Sequence, residues 1–208
     1  ATSIIMKQVD PVKVIDLIEK ERINAMFLVP AVIQFLIAVP GVEKRDFSSL
    51  TRVFYGASPI SEEVLTRAQA RFGATFTQLY GLTETIGGGA WLTPEDHDPK
   101  LGKLRACGRA WPLFEVRVRT GERDASPGEV GEIQIRSQGV MKGYWNKPDA
   151  TAEAIDAEGW FRTGDAGFLD ADGYLLIHDR VKDMIVTGGE NVYPAEVENA
   201  LFSHPDVA

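Results

Sequence analysis

The chain has 208 residues, of which 44% are hydrophobic and 25% charged, and its formal net charge is −8. This composition is typical of a globular protein with one or two domains, and its acidic balance argues against nucleic-acid binding, which requires a basic surface. The single cysteine, Cys107, excludes an internal disulfide, and the most apolar stretch, residues 25–39, is shorter than the roughly 20 apolar residues that span a bilayer.

The first hundred residues alternate between helical and strand patterns. Apolar residues at helical spacing predict a helix over 11–22, with Pro11 in its first turn and Asp10 as its cap. Helices are also predicted to begin at Pro30 and at Ser61, and strands are predicted at 25–29, 52–55 and 75–80. Alternation of this kind with short linkers predicts a parallel α/β sheet, in which 25–29 is a short buried strand.

From about residue 106 the pattern changes to short strands of alternating polarity. These are predicted at 115–118, 132–136, 160–162, 167–169 and 174–177, with turns at 126–128 and 170–173 and one helix over 148–155. The pattern predicts an all-β module, a small barrel. Near the end of the chain, a strand is predicted at 184–186 and a helix over 194–202.

The motif GASP, residues 56–59, follows a predicted strand. Gly56 would allow backbone to approach a flat ligand closely. A plain strand-to-helix turn explains the same residues, because glycine and proline are common in turns. The motif by itself therefore leaves both interpretations open.

The motif YGLTET, residues 80–85, also ends a predicted strand, and ligands of open α/β sheets bind beyond the carboxyl ends of strands. Tyr80 offers an aromatic face for a base, and Thr83 and Thr85 offer hydroxyls. Glu84 offers a hard oxygen for Mg²⁺, which binds carboxylates together with phosphates. The alternative is a polar loop with a tyrosine that faces the core.

The remaining motifs lie in the second half of the chain. In TGD, 163–165, the carboxylate of Asp165 could accept hydrogen bonds from two ribose hydroxyls, or it could cap backbone amides in a turn, which is the commoner role of such residues. Arg180 could pair with a phosphate or ribose oxygen, and Lys182 is a flexible cation; a surface ion pair explains them equally well.

These motifs occur in the order YGLTET, TGD, Asp179-Arg180 and VKDMIVTGGENVYPAEVE, between residues 80 and 198. In that order they resemble the adenylate-forming enzymes: acyl-CoA synthetases, luciferases and the adenylation domains of peptide synthetases. The stretches 128–151 and 159–198 are most similar to fatty-acyl-CoA or aryl-CoA ligases. The resemblance implies an α/β fold with four parts: the later part of an α/β subdomain (1–105), a β-barrel subdomain (106–178), a hinge (179–183) and the start of a C-terminal α+β domain (184–208).

The resemblance also implies residue roles. Thr83 would contact the α-phosphate of ATP, and Glu84 would help to hold Mg²⁺. Lys182 would be the hinge about which the C-terminal domain rotates, and Gly188 would lie near the passage for the pantetheine of coenzyme A. Contacts with ATP or AMP are implied for Gly56, Ala57, Ser58, Tyr80, Gly81, Asp165 and Arg180, with adenine between the 56–58 loop and Tyr80.

The implied reaction has two steps. A small-molecule carboxylic acid attacks the α-phosphorus of ATP to give an acyl-adenylate and pyrophosphate, and the thiol of coenzyme A then displaces AMP. The phosphate loop, a histidine-bearing segment and the C-terminal lysine of such enzymes do not occur within 1–208, so we expect a piece of a longer cytoplasmic ligase that is inactive in isolation. The alternatives are a non-catalytic nucleotide-binding or interaction module, part of a peptide-synthetase adenylation domain, and a luciferase-like oxidase. The acid and the oligomeric state stay open.

Overall fold

The structure, a computed structural model, describes the backbone of residues 2–180, 185–187 and 190–192, and side chains up to residue 178. The chain divides into two compact units. The first contains the residues up to Leu79 together with Leu92–Arg105, and the second contains Tyr80–Trp91 and the residues from Ala106 onwards. Within the described ranges no helix is both long enough and apolar enough to cross a membrane.

The first unit combines three helices with a parallel sheet. The helices are α1 (Pro11–Lys20), α2 (Pro30–Ile37) and α3 (Glu62–Phe72), and the strands are β1 (Ala25–Leu28), β2 (Arg52–Gly56) and β3 (Thr75–Gly81), of which the last two residues belong to the second unit. Strand β2 lies between β1 and β3 and pairs with both in parallel. The predicted helices and strands of this part are confirmed.

The helices begin where local chemistry predicts. The side chain of Asp10 accepts a hydrogen bond from the amide of Lys13 at 3.2 Å, and Ser61 accepts one from Val64 at 3.3 Å. Such caps satisfy amides that lack a partner inside the first helical turn. The apolar faces of the helices and the strand residues between them form the core of this unit, whose fully buried members include Ile15, Ile33, Leu36, Val53, Leu65 and Phe76.

The prediction that 25–29 is a buried strand is wrong in one respect. Strand β1 forms, but its residues alternate between exposed and half-buried, and Phe27 is 60% exposed. The reason is its position, since among the described strands β1 pairs only with β2 and therefore lies at the edge of the sheet. The run of apolar letters indicated a strand correctly but could not reveal which strands flank it.

The second unit is built mainly from antiparallel strands. A five-stranded sheet has the order β10-β9-β8-β6-β7. Its strands are β6 (Glu115–Thr120), β7 (Arg123–Asp124), β8 (Gly131–Arg136), β9 (Phe161–Leu169) and β10 (Leu175–Arg180). The other elements of this unit are β4 (Gly89–Leu92), of which Leu92 counts with the first unit, β5 (Arg109–Ala110), α4 (Pro148–Ala154) and the hairpin β11 (Ile185–Thr187) and β12 (Glu190–Val192). The chain is thus a mixed α/β protein with one parallel and one antiparallel arrangement.

The TGD motif does not form the turn that its residue types favour. Two strands, 160–162 and 167–169, were expected on either side of it, whereas the structure has one strand, β9, that runs through residues 163–165. Strand β9 pairs with β8 on both sides of the motif, at Arg162 and Ala166, and Asp165 itself pairs with Arg180 of β10. Asp165 is therefore a strand residue, and the turn interpretation is wrong.

Strand β10 is longer than the predicted 174–177 and continues through Asp179 and Arg180. Lys182, Gly188 and the predicted helix 194–202 lie outside the described residues. The division of the chain at 105, 178 and 183 stays a prediction.

Candidate functional site

Two of the predicted nucleotide-contacting residues meet in the second unit. The phenol of Tyr80, at the end of β3, donates a hydrogen bond of 2.7 Å to Oδ2 of Asp165 in β9. Both side chains are buried, and Tyr80 packs with the apolar core of this unit, which includes Cys107, Ile135 and Leu175. Burial and the nearby charge of Asp165 raise the pKa of Tyr80 well above its usual range, so the phenol stays protonated and donates.

A bulge in the sheet directs the Asp165 carboxylate. Glu132 of β8 pairs with Ala166, whereas Gln134, two residues on, pairs with Arg162, so one residue of β8 faces the three residues 163–165. Gly164 occupies the middle of the bulge in the left-handed region, with φ of 71°. Bulges of this kind turn a side chain away from the regular alternation of a strand, and they are frequent next to active sites.

Hydrogen bonds inside the bulge hold its shape. The hydroxyl of Thr163 donates to the carbonyl of Ile133 at 2.7 Å and accepts from the amide of Asp165 at 3.1 Å. Thr163 is buried, so these bonds are shielded from water. Thr163 thus positions Asp165.

Arg180 of β10 lies opposite Asp165 of β9. The two residues are register partners of the antiparallel pair β10–β9, and the register shifts by one residue between Ile177 and Asp179. The backbone therefore places Tyr80, Asp165 and Arg180 in one part of the second unit. These three residues are far apart in sequence, and only the sheet brings them together.

The residues after Tyr80 form a tight turn. Thr83–Thr85 is a single turn of 3₁₀ helix, in which the hydroxyl of Thr85 accepts from the amide of Leu82 at 3.0 Å. Thr85 is fully buried and its hydroxyl serves the turn itself, whereas Thr83 is exposed and Glu84 is half-buried. Of the two threonines considered as ligands, only Thr83 has an accessible side chain.

Gly81 is required by the close approach of the turn to its own strand. A Cβ at this position would lie 2.3 Å from the carbonyl carbon of Gly87, and that carbon belongs to the backbone. Ile86 closes the turn with φ of 57°, a conformation that costs a β-branched residue free energy. Strain of this kind is common at functional sites.

Tyr144 contacts the turn, and the sequence motifs did not single it out. Its phenol donates to Oε1 of Glu84 at 2.9 Å, and the amide of Met141 donates to the carbonyl of Glu84 at 2.7 Å. Tyr144 lies in the GYWN segment, within the stretch that carries the family resemblance. Tyr144 is 60 residues from Glu84 in sequence, so the periodicity of neither segment could link the two.

The carboxylate of Glu84 fits a cation that is held jointly by the protein and by a phosphorylated ligand. Among the residues that the structure describes, no group of three or more His, Cys, Asp or Glu side chains could hold a metal ion by itself. Glu84 offers one accessible carboxylate, and Mg²⁺ commonly binds through one or two carboxylates together with substrate phosphates. A magnesium ion at Glu84 therefore requires the phosphate oxygens of its ligand.

The 56–58 motif lies in the first unit and begins at Gly56, the last residue of β2. A Cβ on Gly56 would lie 2.2 Å from the carbonyl oxygen of Leu79 on the adjacent strand, which explains the glycine. Ala57 has φ of 71° and is exposed, as is Ser58. Two non-glycine residues in the left-handed region thus accompany the predicted ligand motifs: Ala57 lies within the first motif, and Ile86 directly follows the second.

Comparisons with known proteins identify the family of this chain. A family model described as AMP-binding enzyme matches residues 1–145. The fatty acid–[acyl-carrier-protein] ligase ScoC of Streptomyces coeruleorubidus is 44% identical over 93% of this chain and 37% of its own length. The medium/long-chain-fatty-acid–CoA ligase FadD8 of Mycobacterium tuberculosis is 44% identical over 99% of this chain and 36% of its own length.

Solved structures show the same fold. The O-succinylbenzoate coenzyme A synthetase (MenE) of Bacillus subtilis, in complex with ATP and magnesium ion, superposes with a TM-score of 0.86 at 32% identity, over 98% of this chain and 41% of that protein. The chain thus spans about two fifths of the length of the proteins to which it is similar.

Proposed function

Because the chain belongs to the AMP-binding enzyme family, we propose that the full-length protein is an ATP-dependent ligase that activates a carboxylic acid and transfers it to the thiol of coenzyme A. In the first step a carboxylate oxygen bonds to the α-phosphorus of ATP as the bond to pyrophosphate breaks. In the second, the sulfur of coenzyme A bonds to the acyl carbon, the thiol proton is lost and AMP leaves. The observation that carries the proposal is the Tyr80–Asp165 hydrogen bond beside the Thr83–Thr85 turn.

The second unit would supply most of the nucleotide contacts. A carboxylate that is held in one orientation can accept hydrogen bonds from ribose hydroxyls, which is the role proposed for Asp165, with Arg180 assisting. Tyr80 and the backbone of Gly81 would contact adenine and the phosphates. The hydrogen bond from Tyr80 would hold the Asp165 carboxylate in one orientation, so little reorganisation would be required at the moment of reaction.

The turn after Tyr80 would contact the reacting phosphate. Thr83 would donate to an α-phosphate oxygen, and Glu84 would hold Mg²⁺. The bound ion would neutralise negative charge on the phosphate oxygens, which favours attack by an anionic carboxylate.

Further roles rest on the resemblance. In the first unit, the backbone of Gly56, Ala57 and Ser58 would contact the nucleotide. Lys182 would be the hinge between the two steps, and Gly188 would lie near the passage for coenzyme A.

The finer fold assignment is also a proposal. Residues 1–105 would be the later part of an α/β subdomain, 106–178 a β-barrel subdomain, 179–183 the hinge and 184–208 the start of a C-terminal α+β domain. The antiparallel strands of the second unit support the barrel assignment. We also propose a cytoplasmic location, which is supported by the presence of a single cysteine, Cys107, in the sequence, since one cysteine cannot form an internal disulfide.

The acceptor thiol has one specific alternative. The name of ScoC gives an acyl-carrier protein as the acceptor, and that protein is as similar to this chain as FadD8 is. Both acceptors carry a thiol, so the first step would be common to them and only the second would differ.

ATP–pyrophosphate exchange by the full-length protein tests the first step. It is measured with a panel of fatty and aromatic acids, followed by thioester formation with coenzyme A or with acyl-carrier protein. We expect exchange with at least one acid, and we expect Asp165→Asn to reduce it at least about tenfold, because a charged hydrogen-bond acceptor for the nucleotide is lost. Asp149→Asn, an exposed aspartate in the first turn of α4, is the matched control and should leave exchange unchanged.

Two outcomes would contradict the proposal. ATP binding without exchange for any acid would favour a nucleotide-binding module. Equal effects of the Asp165 and Asp149 substitutions would remove Asp165 from the site.

A further inference from the structure

The segment around Tyr144 makes two hydrogen bonds with a single residue, Glu84, although Tyr144 is 60 residues away from it in sequence. One bond joins the Met141 amide to the Glu84 carbonyl at 2.7 Å, and the other joins the Tyr144 phenol to Oε1 of Glu84 at 2.9 Å. We propose that Tyr144 is a positioning residue: its phenol holds the Glu84 carboxylate in the orientation that binds the divalent cation accompanying ATP. This inference rests on the proposed function.

The position of Tyr144 is set by its own segment. The Tyr144 amide donates to the hydroxyl of Thr151 at 2.9 Å, and that hydroxyl donates to the carbonyl of Lys147 at 2.8 Å. The Lys147 amide in turn donates to the Tyr144 carbonyl at 3.1 Å, which closes a tight turn. Tyr144 is thus presented by a hydrogen-bonded turn packed on the start of α4, and not by a freely moving loop.

The contact restricts a side chain that would otherwise be mobile. Glu84 is half-buried on a single 3₁₀ turn, and a glutamate in such a place samples several rotamers. The phenol occupies Oε1, and among the described residues no hydrogen bond to Oε2 is present. One carboxylate oxygen is therefore held by the protein, which leaves Oε2 for the cation. Groups that hydrogen-bond to a metal ligand in this way orient it and raise the affinity for the metal.

The phenol is the donor in the bond with Glu84, because a carboxylate oxygen can only accept a hydrogen bond.

A competing explanation makes the opposite prediction. If the phenol instead covered Glu84 and had to leave before the cation entered, removing it would tighten cation binding. If the contact only stabilised the fold, the affinity for the cation would not change at all. The sign of the change in affinity therefore distinguishes the three cases.

The experiment compares Tyr144→Phe with the wild-type full-length protein. Binding of the non-reacting analogue α,β-methylene-ATP is measured by titration calorimetry, with Mg²⁺ and again with EDTA, and the Mg²⁺ dependence of ATP–pyrophosphate exchange is measured in parallel. We expect the Mg²⁺ requirement to rise about three- to tenfold and analogue binding with Mg²⁺ to weaken by a similar factor. Binding in EDTA should be unchanged, which a general loss of structure would not allow.

Two further variants complete the test. Trp145→Phe alters the neighbouring residue, which is 89% exposed, and should behave as wild type. In a Glu84→Gln background, which lacks the charged ligand, Tyr144→Phe should have no additional effect on the Mg²⁺ dependence. Full additivity of the two substitutions would contradict the inference.

The outcomes separate this inference from the proposed function. If the wild-type protein shows no exchange with any acid, the proposed function fails, and the calorimetry still decides the role of Tyr144. If exchange occurs and Tyr144→Phe leaves the Mg²⁺ requirement unchanged or lowers it, the positioning role is overturned while the ligase proposal stands. Tyr144 is 37% exposed, so the loss of its hydroxyl should not prevent folding.

Discussion

Tyr80 and Asp165 are 85 residues apart in sequence, and the structure joins them by a buried hydrogen bond of 2.7 Å. The bond connects the end of the parallel strand β3 to the bulge of β9, and it links two motifs that the sequence presents separately. A buried carboxylate requires donors of this kind, because an unsatisfied buried charge is costly. The bond therefore stabilises the second unit and also orients Asp165.

Tyr80→Phe should destabilise the second unit by about 1–3 kcal/mol, because the Asp165 carboxylate loses a buried donor. Urea unfolding followed by tryptophan fluorescence measures this change, since Trp91, Trp111, Trp145 and Trp160 all belong to that unit. Tyr144→Phe removes the same type of bond at a partly exposed site and should cost less. Equal, small effects would show that Asp165 does not depend on Tyr80.

Gly164→Ala and Gly159→Ala should cost similar stability and differ in their effect on nucleotide binding. Both glycines have positive φ, 71° and 82°, and neither has an atom within 4 Å of an added Cβ, so each substitution costs roughly 1–2 kcal/mol of backbone strain. Only Gly164 adjoins Asp165. We expect AMP affinity, measured by calorimetry, to fall in Gly164→Ala alone, and a matching loss in Gly159→Ala would refute this assignment.

Gly81→Ala should disrupt the turn that carries Thr83 and Glu84. The added Cβ would meet the backbone of Gly87 at 2.3 Å, and backbone cannot move aside as a flexible side chain can. We expect a loss of about 1–3 kcal/mol or more in urea unfolding, together with weaker ATP binding. Gly139→Ala, whose Cβ would meet only side-chain atoms, the nearest being the Phe114 ring at 3.2 Å, is the comparison and should cost less.

The protein should lose stability in alkaline solution in two stages. Complete burial raises the pKa of Cys107 to about 12, so the folded state retains this proton after the unfolded state has lost it. The contribution of Cys107 to stability should therefore be constant below about pH 8.5, the usual pKa of a cysteine, and then fall by about 1.4 kcal/mol per pH unit up to the folded-state value. Tyr80, whose pKa is also raised by burial, should add a second decline above about pH 10.

Two variants assign these stages. Cys107→Ala should abolish the decline that begins near pH 8.5, and Tyr80→Phe should abolish the one that begins near pH 10. Urea unfolding of the second unit between pH 7 and 11 measures both. A wild-type pH profile in Cys107→Ala would show that the buried thiol is not the titrating group.

Local signals in the sequence predicted local structure well. Asp10 and Ser61 cap helices that begin where predicted, because a cap depends on residues within one helical turn of it. The order of the motifs was sufficient to indicate the family, because several short motifs in a fixed order are more specific than any one of them. The same reasoning could not decide between a ligand role and a turn role for Asp165, because both require the same residue types.

The sequence by itself determined the helices, most of the strands and the family. Only the tertiary structure decided that β9 runs through TGD, that β1 lies at a sheet edge with Phe27 exposed, and that Tyr144 contacts Glu84. Each of these depends on pairing between segments that are distant in the chain. Such pairing is governed by the register of neighbouring strands and by the packing of side chains, neither of which is encoded in the periodicity of a single segment.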